Sequence, residues 1–251
     1  MSTDLAGRSV VVTGASSGIG DAVARAFAAA GARVTLAARR ADRLEALAAD
    51  LRAGGAEVAV AVADMRDEAQ IVAMIGLARE RFGGVDVLVN NAGLGRQAPL
   101  TTGATALWRE MLEVNVLGLC IATREAVQDM ERRGVAGHIV HVSSMAGHRV
   151  PSPQSGVYPA TKFAVRALTE ALRQELRAEG SAIRVSCVSP GHVETEFAGV
   201  WSGDAEAGAA SYRKMRALQP ADVAEAILWI VRQPPHVQVH DVLVRPSDQK
   251  S

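Results

Sequence analysis

Ser9-Val10-Val11-Val12-Thr13-Gly14-Ala15-Ser16-Ser17-Gly18-Ile19-Gly20 is the stretch on which the rest of the chain is read. Ser9–Thr13 is a short β-branched run of the kind that forms a buried strand. It breaks directly into a glycine-rich turn and then into an alanine-rich segment, near 18–30, with helical spacing. Glycine at such a turn permits a tight reversal and lets the backbone approach a pyrophosphate, which the positive end of the helix attracts. The spacing is Gly-x-x-x-Gly-x-Gly, so Gly14, Ser16, Ser17, Gly18, Ile19 and Gly20 are candidate cofactor-binding residues. Glycine also serves plain βα turns that need positive φ, so the motif needs support from elsewhere.

The rest of the chain repeats the same alternation. Strands are expected at Ser9–Thr13, Arg33–Ala38, Glu57–Ala61, Val85–Asn90, His138–Ser143, Arg184–Val188 and Val239–Val244. Helical periodicity fills the intervals near 18–30, 41–53, 67–82, 104–132, 156–179 and 221–232. Asp67 and Asp222 suit helix starts, the latter supported by Pro220, and Gly180 suits a helix end. Strands alternating with helices imply a parallel sheet covered on both faces through right-handed crossovers. This is an α/β fold, doubly wound and Rossmann-type, with no linker or repeat to divide it, so residues 1–251 are read as one domain. The stretch 191–214 interrupts the alternation and is read as a mobile flap.

Composition narrows the function. The 251 residues are 49% hydrophobic and 22% charged, with 27 basic against 27 acidic side chains. That balance gives no basic excess for nucleic acid or an anionic membrane. No apolar run approaches the length of a membrane span, and the Met1–Leu5 start shows no secretory pattern. Cys120 and Cys187 lie in apolar segments without metal-like spacing, as expected of buried thiols in a reducing cytoplasm. A cytoplasmic protein with no metal, membrane or nucleic-acid partner is expected.

Among 27 basic residues only Lys162, Lys214 and Lys250 are lysine, and only Tyr158 and Tyr212 are tyrosine. Tyr158 and Lys162 stand four apart, on one face of a helix. A phenol titrates near about 10, and a neighbouring ammonium favours its ionised form. The pair reads as a proton-transfer device, although at this spacing it can also be an ordinary surface pair worth a few tenths of a kcal/mol.

At the end of the second strand the order is Leu36-Ala37-Ala38-Arg39-Arg40. A carboxylate here would bond the ribose diol of NAD and repel a 2′-phosphate. Ala38 stands in that slot and Arg39 and Arg40 follow, which favours NADP (NADPH) and makes NAD the lesser candidate. Solvated residues at a helix start would look the same. Asp64, with Met65 beside it, either accepts from an adenine amino group or caps the next helix.

Taken in order, the Thr13–Gly20 turn, Asn90-Asn91-Ala92-Gly93, Asn115, Ser144, Tyr158 with Lys162, and Pro190-Gly191 resemble the short-chain dehydrogenases/reductases. The resemblance runs from Ser9 to about Val244. It implies seven parallel strands in the order 3-2-1-4-5-6-7, with a nicotinamide cofactor across their C-terminal edge. It also implies a catalytic tetrad of Asn115, Ser144, Tyr158 and Lys162. In that scheme Ser144 bonds the substrate oxygen and Tyr158 exchanges a proton with it. Lys162 lowers the tyrosine pKa and holds the nicotinamide ribose, while the Asn115 amide binds a water leading to Lys162. Asn91, Ala92 and Gly93 would pass the adenosine ribose. Pro190, Gly191, Val193 and Thr195 would lie on the nicotinamide side. Pro159 after the tyrosine departs from the family pattern and requires the helix to begin very near Tyr158.

The stretches 144–150 and 164–170 look like those of broad-range NADP-dependent carbonyl reductases acting on steroid ketones, terpenoid alcohols or 3-hydroxy acids. No cation is evidently placed for a substrate carboxylate, so a neutral ketone or secondary alcohol is expected. Leu94, Met145, Val150, Pro151, Phe197 and Trp201 are candidate pocket residues, with His148 and His192 in reach. Alternatives are a 3-hydroxy acid dehydrogenase, or a regulatory NADP-binding protein of the same fold without turnover. Helices 104–132 and 156–179 are apolar on several faces. The family pairs these helices between subunits, so a homotetramer, or a dimer, is expected.

Overall fold

The computed structural model describes residues 4–213 and 216–249. Lys214, at the end of the segment read as a flap, Lys250 and the first three residues lie outside the described residues. Seven parallel strands form one sheet: β1 (Ser9–Thr13), β2 (Arg33–Ala38), β3 (Val58–Val62), β4 (Val87–Asn90), β5 (His138–Val142), β6 (Arg184–Pro190) and β7 (Asp241–Val244). Their order is β3-β2-β1-β4-β5-β6-β7, as the family resemblance implied. Because β1 pairs with both β2 and β4, the chain reverses its winding there. A crevice opens at the C-terminal ends of those strands.

Helices cover both faces. On one side lie α1 (Gly18–Ala29), α2 (Ala41–Ala53) and α9 (Pro220–Val231). On the other lie α3 (Glu68–Phe82), α4 (Thr105–Leu112), α5 (Gly118–Arg132) and α6 (Tyr158–Ala178). The pleat decides which residue joins which core. Val10, Val12, Val34 and Leu36 pack with Phe27, Leu44 and Ile227, while Val11, Ala37 and Leu88 face Ile75, Met130 and Leu176. Strands buried on both faces carry continuous apolar runs, which is why no alternation was visible in them.

The ends of several elements differ from expectation. β4 begins at Val87 rather than Val85, because the Val85 N–H donates to the buried Asp129 carboxylate at 2.8 Å. Arg79 and Arg133 donate to the same carboxylate, clamping α3 and α5 to the lower edge of the sheet. Burial pushes the Asp129 pKa upward, but the Val85 N–H and the two arginines hold it below its ordinary value. Asp67 caps α3 as expected, accepting from the Gln70 N–H. Asp222 does not cap α9. The cap is Gln219, and Asp222 reaches back to the Gln219 N–H as the far arm of a capping box.

Two larger differences bear on the site. The expected helix 104–132 is interrupted by a π-helical turn, Glu113–Leu117, between α4 and α5. The region read as a flap holds two short helices, α7 (Phe197–Ser202) and α8 (Ala205–Tyr212).

Within the core, a directed hydrogen-bond chain crosses β5. Asn90 Nδ2 donates to Thr123 Oγ1, which lies 3.1 Å from His141 Nε2. His141 Nδ1 lies 2.9 Å from Thr169 Oγ1, which itself donates to the Val165 carbonyl. With the Thr169 proton used, Nδ1 must carry the imidazole hydrogen and Nε2 must accept from Thr123. Burial accordingly pushes the His141 pKa down to about 4.

Candidate active site

The C-terminal edge of β5 ends in Ser143 and Ser144, and α6 begins at Tyr158. Pro159 falls in the first turn of that helix, where its missing N–H has no intrahelical partner to lose. Lys162, one turn further on, comes back to the same edge. Its Nζ donates to the Val142 carbonyl at 3.0 Å and lies 5.9 Å from the centre of the Tyr158 ring. Tyr158 and Lys162 are both buried.

Ser144 Oγ accepts from the Ala146 N–H at 3.1 Å, which leaves its own proton for the Tyr158 phenol. The phenol does not titrate as the sequence suggested. Burial pushes it up to about 12, against the opposing bond from Ser144, and the nearby ammonium does not reverse this. Burial pulls Lys162 down to about 8. At neutral pH the site therefore holds a protonated phenol beside an ammonium close to its own titration. This is an acid loaded for donation.

Asn115 sits in the π turn, which brings its side chain into the interior. Its Oδ1 accepts from the Leu94 N–H at 2.9 Å, and its Nδ2 donates to the Leu94 carbonyl at 2.8 Å and to Thr161 Oγ1 at 3.0 Å. Thr161 in turn donates to the Tyr158 carbonyl. Both polar atoms of the amide thus clamp the loop at Leu94 to the start of α6. An asparagine is a poor residue for a helix interior, and here it sits in the π turn that interrupts the expected helix. Nothing singled out Thr161.

The crevice between β1 and β4 meets the demands of a dinucleotide. A side chain on Gly20 would put its Cβ 2.2 Å from the Gly14 carbonyl oxygen, so helix and turn can meet only through glycine. The N-terminus of α1 carries no side-chain cap, since the Ser17 hydroxyl accepts from Arg40 instead. Asn91 ties β4 to the turn. Its Nδ2 donates to the Thr13 carbonyl at 2.9 Å, and Thr13 Oγ1 accepts from both the Asn91 and Ala92 N–H groups. The residue thus braces the glycine-rich turn. A Cβ on Gly93 would lie 3.3 Å from Lys162 Nζ, so Asn91–Gly93 joins the turn to the lysine.

Asp64 is bonded by both Nε and Nη2 of Arg66, which hold its carboxyl below the usual range. It does not cap α3, which Asp67 does, and Met65 beside it is buried under Gly118. Arg39 is exposed at the end of β2. Arg40 spans to Ser16 Oγ at 3.1 Å, to Ser17 Oγ at 2.6 Å and to Glu196 at 2.8 Å.

From the other side, β6 ends in Pro190 and Gly191. Val193 then bridges to Leu218, and Thr195 Oγ1 accepts from the Phe197 N–H. Phe197 and Trp201 of α7 close on the phenol, with ring centroids 5.4 and 5.5 Å from that of Tyr158. Leu94 and Met145 are buried nearby. Val150 and Pro151 point to solvent instead. His148 lies 3.3 Å from Asp241 Oδ2 without the alignment of a hydrogen bond, and His192 is titrated downward chiefly by burial. Glu196 was not anticipated, and no motif marks it.

The arrangement matches known proteins throughout its length. A family model described as short chain dehydrogenase matches residues 8–205. Dehydrogenase/reductase SDR family member 11 of Bos taurus is 48% identical over 247 residues, covering 96% of this chain and 97% of that one. The farnesol dehydrogenase of Aedes aegypti is 44% identical, with 98% of each covered. Among solved structures, a serine dehydrogenase complexed with NADP+ has a TM-score of 0.89 at 34% identity, covering 97% of this chain and 96% of that one. A short chain dehydrogenase/reductase from Burkholderia phymatum in complex with NAD has a TM-score of 0.86 at 30% identity, covering 96% and 90%.

Proposed function

This chain belongs to the short-chain dehydrogenase family, and we propose that within it the protein is an NADP(H)-dependent oxidoreductase interconverting a neutral ketone and a secondary alcohol. The observation that carries the reading is the Tyr158 phenol, buried, protonated, hydrogen-bonded by Ser144 and adjacent to the Lys162 ammonium. A nicotinamide bound across the β1–β4 crevice would supply or remove the hydride. Gly14, Ser16, Ser17, Gly18, Ile19, Gly20 and the Asn91–Gly93 strand end would hold it, with Pro190, Gly191, Val193 and Thr195 on the far side.

The chain's own residues handle the proton. During reduction the Ser144 hydroxyl donates to the carbonyl oxygen as negative charge builds on it. Tyr158 then transfers its proton to that oxygen, leaving a phenolate. A buried phenolate is costly, and Lys162 is the cation close enough to offset it. Asn115 and Thr161 position the start of α6. Oxidation runs the same steps in reverse.

NADP is favoured over NAD because Ala38 replaces the acid of NAD-type sites, Arg39 follows it, and Arg40 stands beside Ser16 and Ser17. The aromatic wall of Phe197 and Trp201 suits an apolar carbonyl compound. The farnesol dehydrogenase among its relatives points the same way. One domain with residues 191–214 as its flap, pairing of the α4–α5 and α6 faces into a tetramer, and a cytoplasmic location complete the proposal. Exposed Leu112, Leu117 and Phe163 supply apolar surface for the pairing.

The test is a panel of steroid, terpenoid, aromatic and β-keto substrates with NADPH. Turnover is expected with at least one, and Tyr158→Phe should abolish it while NADPH affinity stays within about twofold. A variant that keeps turning over would rule out the mechanism. Silence across the panel would favour a regulatory nucleotide-binding protein.

A further inference from the structure

Arg40, before α2, and Arg43, in its first turn, meet one carboxylate from the opposite wall of the crevice. Arg40 Nη1 donates to Glu196 Oε2 at 2.8 Å, and Arg43 Nη1 donates to Glu196 Oε1. Arg40 Nε and Nη2 donate to the hydroxyls of Ser16 and Ser17. Glu196 immediately precedes α7, whose Phe197 and Trp201 cover Tyr158. Its neighbour Thr195 rests on the glycine-rich turn, close enough that a Cβ on Gly18 would come within 2.9 Å of the threonine methyl. Arg40 and Glu196 also line a cavity of about 670 Å³ that extends beneath α7 and α8.

The carboxylate is thus bonded to a guanidinium that the NADP reading assigns to a phosphate. Carboxylate and phosphate are the two anions that match the planar fork of arginine, and one fork cannot serve both fully. A 2′-phosphate arriving between Arg39, Arg40 and the two serines would also meet the negative charge of Glu196 at close range. The ion pairs themselves are nearly half exposed, so each is weak enough to be exchanged.

We propose that Glu196 is a specificity-determining internal anion. It occupies Arg40 and Arg43 in the nucleotide-free protein and yields Arg40 to the 2′-phosphate when the nucleotide binds. The exchange links recognition of that phosphate to loosening of the 195–202 segment, which then keeps only the Arg43 bond to α2. A carboxylate that must be displaced weakens every 2′-phosphorylated nucleotide equally and leaves nucleotides without that group unaffected. The proposal rests on the NADP reading given above.

Its test uses two probes, adenosine 2′,5′-bisphosphate and AMP, titrated calorimetrically into the full-length protein and its Glu196→Gln variant. Neither probe reaches Tyr158 chemistry, so turnover plays no part. The variant should bind the bisphosphate up to about fivefold more tightly, the effect of no longer having to break one exposed ion pair, with AMP unchanged within twofold. In parallel, Trp201 fluorescence in a Trp108→Phe/Trp229→Phe background should shift when the bisphosphate is added. In the variant, the nucleotide-free spectrum should already be shifted. Equal tightening of both probes would overturn the proposal, as would weaker bisphosphate binding, since Glu196 would then be a scaffold for the arginines. If the unmodified protein binds the bisphosphate no better than AMP, the 2′-phosphate reading itself fails, and the proposal fails with it.

Discussion

Trp201 meets Tyr158 edge to face, with ring centroids 5.5 Å apart and planes at 75°. The indole belongs to α7 and the phenol to α6, so the contact brings a short helix of irregular surroundings onto the first turn of a long one. It also explains the direction in which the phenol titrates. An aromatic wall of Trp201 and Phe197 removes water from Tyr158, and the charged form pays for the loss.

Removing that wall should therefore be visible in the tyrosine itself. Only Tyr158 and Tyr212 contribute phenolic absorbance. In Trp201→Ala, the late ionisation near about 12 should move towards the ordinary value of about 10. For an apolar ketone, KM should rise about tenfold, as expected for about 1.4 kcal/mol of lost apolar contact, with kcat changing less. Spectrophotometric pH titration and steady-state kinetics measure the two effects, and an unmoved phenol would contradict the role given to the indole.

Lys162 sets an upper pH limit. Its ammonium is held down to about 8 by burial, so it loses charge as pH rises through that value and the emerging phenolate loses its counterion. The pH profile of kcat/KM for ketone reduction should be level near neutrality and fall above about 8. A profile level to pH 10 would separate Lys162 from the proton transfer.

Asn115 holds both the N–H and the carbonyl of Leu94, two backbone groups that the interior otherwise leaves unpaired. Asn115→Ala should destabilise the fold by about 2–3 kcal/mol in urea titrations, the cost of stranding such groups. Thr161→Val, which removes both the acceptor of the Asn115 amide and the donor to the Tyr158 carbonyl but spares the two Leu94 bonds, should cost about 1–2 kcal/mol and lower kcat without altering cofactor affinity.

Acid sensitivity should come from two imidazoles far from any substrate. Burial pushes His138 down to about 3 and His141 down to about 4. An unfolded chain protonates both below about 6.5. Between about 6.5 and 4 the unfolded state thus holds more protons than the folded one, so stability rises with pH in that window and is lost on acidification. The unfolding free energy should be level from pH 7 to 8 and fall below about 6, by up to about 1.4 kcal/mol per pH unit for each histidine. His141→Gln keeps one donor and one acceptor for Thr169 and Thr123, and its slope should be about half as steep. Urea titrations at pH 7, 6 and 5 measure it.

The sheet and its winding were legible in residues 9–20 and in the recurring apolar runs, because strand and helix periodicities depend on local chain geometry alone. The Tyr158–Lys162 pair and the glycines could be named for the same reason, since helix spacing and a tight turn are local, whereas Ser144 and Asn115 were named through the family resemblance. What Asn91 does was not legible: it braces Thr13, which is 78 residues away in sequence. Nor was the titration of Tyr158 and Lys162, because burial depends on α7 folding over them, and a pair read in isolation carries only its mutual attraction. Glu196 lies 156 residues from Arg40, and no spacing rule connects a surface carboxylate to a distant guanidinium. Sequence determined which residues stand at the end of each element. Tertiary packing alone decided which charges meet across the crevice and how much water they keep, since both depend on segments that only the closed sheet brings together.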